Sequence, residues 1–175
     1  MMLPLPVKFD ANEIFIIIST VLAFALMLVL PRRLSAVTFT VIWTCNVFLS
    51  LLADITISVK PYELYMTVDR RNYELFDLVL NFATYPTVPY FVVNLYQRLQ
   101  PKGMKHLLYV VCCAGAACAL EWVSVQFHVF TYIKWKLYLS FLVYVIVFEA
   151  NIGLMGFLEK RRASQDASPS YRTKP

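Results

Sequence analysis

Apolar residues in this chain come in long blocks, not in the two-residue alternation of strands or the narrow stripes of surface helices. Runs at 14–30, 36–57, 104–125 and 137–158 are nearly free of charge. At about 1.5 Å per helical residue, each approaches or exceeds a hydrocarbon layer of about 30 Å. A fifth run at 73–99 is less uniform, with Glu74, Asp77, Asn81, Tyr85, Asn94 and Tyr96 inside it, and Pro86 and Pro89 interrupting it. Each proline removes a backbone donor, which predicts a kink and frees the carbonyls of Phe82 and Tyr85. Lipid tolerates such a break only where protein or water satisfies those groups. The predicted fold is all-α: an integral membrane bundle of five transmembrane helices over residues 1–158, followed by a disordered, basic cytoplasmic tail at 159–175.

The connections refine this layout. The first run could be a cleaved leader, but Pro31-Arg32-Arg33 follows it where small residues would be needed, so a retained helix is expected. Residues 58–72 carry mixed charge in Lys60, Glu63, Asp69, Arg70 and Arg71. They also hold the first half of a short echo, YELY at 62–65 and YELF at 73–76. The two tyrosine-glutamate pairs, eleven residues apart, would share a face if one helix ran through both, and a helix lying in the interface is expected over 62–71. Gln100-Pro101-Lys102-Gly103 predicts a turn. The fourth run centres on CCAGAACA, where Gly115 and Ala119 predict a close approach between helix backbones.

Composition agrees with burial in lipid: 59% of the 175 residues are hydrophobic and 15% are charged, against about 25% charged in soluble domains. The net charge of +5 does not suggest nucleic acid, because the positive residues flank apolar runs instead of forming one soluble face. With the N-terminus outside and the C-terminus cytoplasmic, Arg32, Arg33, Arg98, Lys102, Lys105, Lys160, Arg161, Arg162, Arg172 and Lys174 fall inside, as the positive-inside rule favours. Cys45, Cys112, Cys113 and Cys118 all lie in apolar runs without metal-ligand spacing, so free buried thiols are expected.

One stretch concentrates polar chemistry. Residues 121–136 read EWVSVQFHVFTYIKWK, between the fourth and fifth runs. In the five-span layout, Asp54, Glu74, Asp77, Asn81, Glu121, Trp122 and His128 gather at the outer side. Glu74, Asp77 and Asn81 share one helix face, and Glu121, Ser124 and His128 share another if that helix runs past Val125. These residues are the candidate ligand-binding site. Close carboxylates with a histidine nearby can bind a cation or pass protons. The alternative is a rim of interfacial acids paired with Lys60, Arg70, Arg71, Lys134 and Lys136, with Trp122, Tyr132 and Trp135 as an aromatic belt. Glu149 lies deep in the fifth run and needs a proton or a polar partner such as Asn46. There is no GxSxG, HExxH, P-loop or GxGxxG, so no catalytic residue, metal ligand or cofactor is assigned.

Four blocks, PYELYMTVDRRNYELFD at 61–77, YPTVPY at 85–90, PKG at 101–103 and EWVSVQFHVFTYIKWK at 121–136, resemble a family of small multi-spanning membrane proteins of spore-forming Gram-positive bacteria. The resemblance covers roughly 60–145. It implies a bacterial cell-membrane protein and brings no established activity, so it transfers no residue roles. The expected function is that of a non-enzymatic membrane component acting by helix and loop contacts. Its partners would be the lipid bilayer and a membrane protein or a second copy of itself. The alternative is small-molecule or ion handling at the outer cluster.

Overall fold

The computed structural model describes residues 6, 8–58, 60–68 and 73–166. The readings made for Arg70, Arg71 and residues 167–175 lie outside them. Helix α1 is Ala11–Val29, opened by a capping box in which Asp10 accepts from the Asn12 N–H and Glu13 accepts from the Asp10 N–H. It stops just before Pro31. Helix α2, Ala36–Ile57, is capped by Ser35, whose hydroxyl accepts from the Thr38 N–H. A short strand β1, Tyr65–Thr67, follows.

The interrupted run forms helix α3, Leu75–Val79, a π-helical turn over Leu80–Thr84 and helix α4, Thr87–Leu99. The kink is where the prolines place it. The Tyr85 N–H reaches back five residues to the Leu80 carbonyl at 2.8 Å. The Tyr85 carbonyl is taken up by the Val88 N–H, and the Thr84 carbonyl by the Thr87 hydroxyl. Gln100, at φ 42, and Gly103, at φ 57, make the predicted turn into helix α5, Met104–Gln126. Strand β2, Phe130–Tyr132, and helix α6, Leu137–Asp166, complete the order.

Among the described residues, four helices are long and apolar enough to cross a membrane: Ala11–Val29, Ala36–Ile57, Met104–Gln126 and Leu137–Gln165. Their outward side chains are apolar, as with Val21, Leu28, Ile55 and Ile146, which are 61%, 74%, 67% and 68% exposed. Lipid is the solvent such faces require. The chain is a multi-pass integral membrane protein. The broken α3–α4 segment packs in the middle and runs the full length of α2. Asn81 bonds to Asp54 near the end of α2, while Asn94 bonds to the Pro31 carbonyl and the Arg33 N–H just before its start. Ile42, Val93, Val110, Phe148 and Ile152 form the main core between α2, α4, α5 and α6. A second core of Ile16, Val68, Phe76, Leu80 and Val129 lies under the strands.

Four expectations need correction. The helix expected over 62–71 is not formed in its described part, 62–68, where β1 pairs antiparallel with β2, Tyr65 opposite Tyr132 and Thr67 opposite Phe130, so a small ribbon accompanies the helices. Helix α5 does not run on to His128, which sits in a turn at φ 58. Helix α6 continues to Asp166, beyond the expected end at 158, because Glu159 is anchored by the Thr38 hydroxyl at 2.6 Å and good helix formers follow. Gly115 does not serve an approach within this chain, since a Cβ there would meet nothing within 4 Å and Ala119 is exposed as well.

Candidate functional site: a polar clasp under the ribbon

The ribbon is fastened mainly through backbone groups. The Leu64 carbonyl accepts from the N–H groups of Ile133, Lys134 and Trp135, and the Val68 N–H donates to Val129. Val68 holds the left-handed region at φ 54, unusual for a β-branched residue, and is stabilised there by that bond and by near-complete burial. This geometry aims Tyr65, Thr67 and Tyr132 at carboxylates on the helices beneath.

Asp54, in the last turn of α2, accepts from the Tyr65 hydroxyl at Oδ1, 2.8 Å, and from Asn81 Nδ2 at Oδ2, 2.7 Å. Asn81 Nδ2 also reaches the Asp77 carbonyl at 2.9 Å and the Tyr73 hydroxyl at 3.0 Å. Asp77 accepts from the Thr67 hydroxyl at 2.6 Å and from the Glu74 N–H at 2.8 Å. A neighbouring network centres on Glu121 at the end of α5. Its Oε1 accepts from the Tyr132 hydroxyl and, at 2.6 Å, from Ser140; its Oε2 accepts from Tyr144 at 2.7 Å. Trp135 Nε1 donates to the same Ser140 at 2.8 Å, and the Trp135 ring meets Tyr65 edge-on at 6.2 Å. Tyr65 and Trp135 thus connect the two networks.

The sequence-predicted residues divide. Asp54, Asp77 and Asn81 converge, with exposures of 7%, 2% and 0%. Glu74 is wholly buried at the start of α3, beside Asp77. Glu121 joins through the ribbon. Trp122, 55% exposed, faces outward, and His128 is exposed in its turn, off the Glu121 face because the helix has ended. Tyr65, Thr67, Ser140 and Tyr144 complete the site and were not predicted. Tyr65 and Thr67 are placed by the 65–67 to 130–132 pairing, for which three-residue strands give little periodic signal, and Ser140 and Tyr144 reach Glu121 through the packing of α6 on α5.

Burial, foremost, holds the Tyr65 hydroxyl well above the ordinary tyrosine range, and the negative charge of Asp54 adds to this. Tyr132 is raised in the same way, by burial and then by its bond to Glu121. Both therefore stay protonated donors at neutral pH. Among the described residues no lysine, arginine or histidine pairs with Asp54, Asp77 or Glu121, so the expected pairing with Lys60, Lys134 and Lys136 is not formed. No cluster of three or more acids, histidines or cysteines there could hold a metal ion.

A separate constellation lies across α4, α5 and α6. His106 Nε2 contacts Glu149 at 2.9 and 3.1 Å, and its Nδ1 contacts the Tyr96 hydroxyl at 3.0 Å. Glu149 does have a polar partner on another helix, but it is His106 and not Asn46. Asn46 instead pairs reciprocally with Asn151, at 2.7 and 3.2 Å. All four cysteines are free thiols; Cys118 is buried, whereas Cys45 and Cys112 lie on the outward surface.

No family model, no curated protein and no solved structure matches the chain.

Proposed function

We propose that the protein is a non-enzymatic, five-span component of the bacterial cell membrane that acts through contacts made at its ribbon end. The broken α3–α4 segment is the fifth span, the N-terminus lies outside and the C-terminus is cytoplasmic. One observation carries the reading. Both side-chain oxygens of Asp54, Asp77 and Glu121 are engaged, and most of their donors are contributed by other elements. Acids arranged this way lock loops onto helices. The locked ribbon end then presents Tyr62, Trp122, Phe127 and Ile133, which are 59%, 55%, 42% and 49% exposed, beside Lys134 and Lys136. Rigid aromatic groups next to lysines suit a membrane partner at headgroup depth.

The test is site-specific photo-crosslinking in native membranes. A crosslinker at Ile133 should capture a discrete protein, while one at the lipid-facing Ile146 should not. Equal labelling from both positions, or none from Ile133, would refute the reading. Cysteine accessibility at positions 134 and 102, in a background lacking the four native cysteines, checks the orientation: position 134 should be labelled from outside and position 102 only from inside. A second reading, small-molecule or ion handling at the same cluster, draws support from two buried polar atoms there that the clasp does not use.

A further inference from the structure

Those two atoms are Asn81 Oδ1 and the Tyr85 hydroxyl. Both are buried, and among the described residues neither has a hydrogen-bond partner. Asn81 is 0% exposed and its Nδ2 is fully committed to Asp54, Asp77 and Tyr73. Both residues belong to the π-helical interruption, Asn81 within the turn and Tyr85 closing it. The Tyr85 ring stacks on Phe130 of the ribbon at 6.2 Å.

We propose that Asn81 Oδ1 and the Tyr85 hydroxyl line an internal hydration site beside the Asp54–Asp77 network, with water as its ligand. An unpaired amide carbonyl and an unpaired hydroxyl within a membrane bundle are each costly, and buried groups of this kind are normally satisfied. Asn81 Oδ1 can only accept, whereas the Tyr85 hydroxyl both donates and accepts. Water can donate to the first and accept from the second. Buried waters take two to four such partners. The π turn supports this placement, because widening the helix there detaches Asn81 and Tyr85 from regular i to i+4 side-chain stacking. This holds whether or not the ribbon meets a partner.

The experiment is water-edited solid-state NMR on the full chain in lipid bilayers, with asparagine side chains labelled. Asn46 and Asn151 are internal references, since their amides are buried and satisfy each other. The expected result is transfer from water to the Asn81 side chain severalfold faster than to Asn46 and Asn151. Equal, slow transfer overturns the proposal. Tyr85→Phe is the second arm, because it keeps the ring stacked on Phe130. Removing a partner of a bound water lowers the Tm, whereas removing a dry, unpaired hydroxyl raises it. A rise in Tm overturns the bridging role.

Discussion

Replacing Glu121 with alanine is the sharpest test of the clasp. Glu121 takes hydrogen bonds from Tyr132, Ser140 and Tyr144, so the substitution leaves three donors without their acceptor. An orphaned buried donor costs about 1–3 kcal/mol. Tyr132 is only partly buried and can turn to water, so its share is small. Ser140 is 5% exposed and cannot, and the Tyr144 hydroxyl is also part-buried. The expected loss is about 2–5 kcal/mol. For a chain of this size each kcal/mol is worth about 2–4 °C, so the Tm in nanodiscs should fall by about 4–20 °C. Glu121→Gln keeps one carbonyl oxygen and should lose about 1–2 kcal/mol. The loop at 127–136 should also become sensitive to protease in Glu121→Ala, because its anchor through Tyr132 is gone. His128→Ala and Trp122→Ala, both outward-facing, should stay within about 0.5 kcal/mol of the parent. If Glu121→Ala melts no lower than His128→Ala, Glu121 does not hold the ribbon and the clasp is wrong.

Three further outcomes are expected. Tyr65 and Tyr132 hold their protons more tightly folded than unfolded, so the stability they contribute is complete below the unfolded tyrosine pKa of about 10 and is lost as pH rises through the folded values; the combined Tyr65→Phe and Tyr132→Phe variant should lack two of the late-titrating tyrosines in an alkaline absorbance titration and lose Tm less steeply above that pH. Asn46→Leu and Asn151→Leu should each destabilise, with the double variant recovering part of the loss through a coupling of about 1 kcal/mol in thermal melts. Asn94→Ala should free the 31–33 connection, which Asn94 holds through the Pro31 carbonyl and the Arg33 N–H, and a cysteine placed at Arg32 should then label severalfold faster.

Much of the helical layout was legible because lipid imposes a simple rule on sequence. Runs such as 36–57 and 104–125 match α2 and α5 to within a residue, since their boundaries are set by Pro31, Ser35 and the 100–103 turn. The kink was legible because proline acts locally through its missing N–H. The ribbon was not. Tyr65–Thr67 acquires strand geometry only by pairing with Phe130–Tyr132, more than sixty positions away, and the strand preference of tyrosine, threonine and phenylalanine over three residues is too short to announce that pairing. The same long-range pairing separates Glu121, which the ribbon captures, from His128 and Trp122, which it leaves outside. Glu149 shows a smaller failure of the same kind: the need for a partner could be read from burial in an apolar run, but His106 comes near only through the packing of α5 on α6.

Polar contacts at separate depths do for this bundle what apolar matching cannot. Between helices in lipid there is little hydrophobic driving force, so apolar faces can slide past one another at low cost. Helix α2 carries three buried polar residues eight positions apart, Thr38, Asn46 and Asp54. At about 100° per residue, each step of eight rotates the contact by about 80°. The first two therefore meet α6 through Glu159 and Asn151, and the third turns toward the broken helix and meets Asn81. Sliding α2 by one turn, about 5.4 Å, would break all three contacts at once. The π turn has a place in the same scheme. Asn81 must meet Asp54 at one end of the segment while Asn94 meets the 31–33 connection at the other, and the looser helix between them lets one chain segment satisfy both ends of α2.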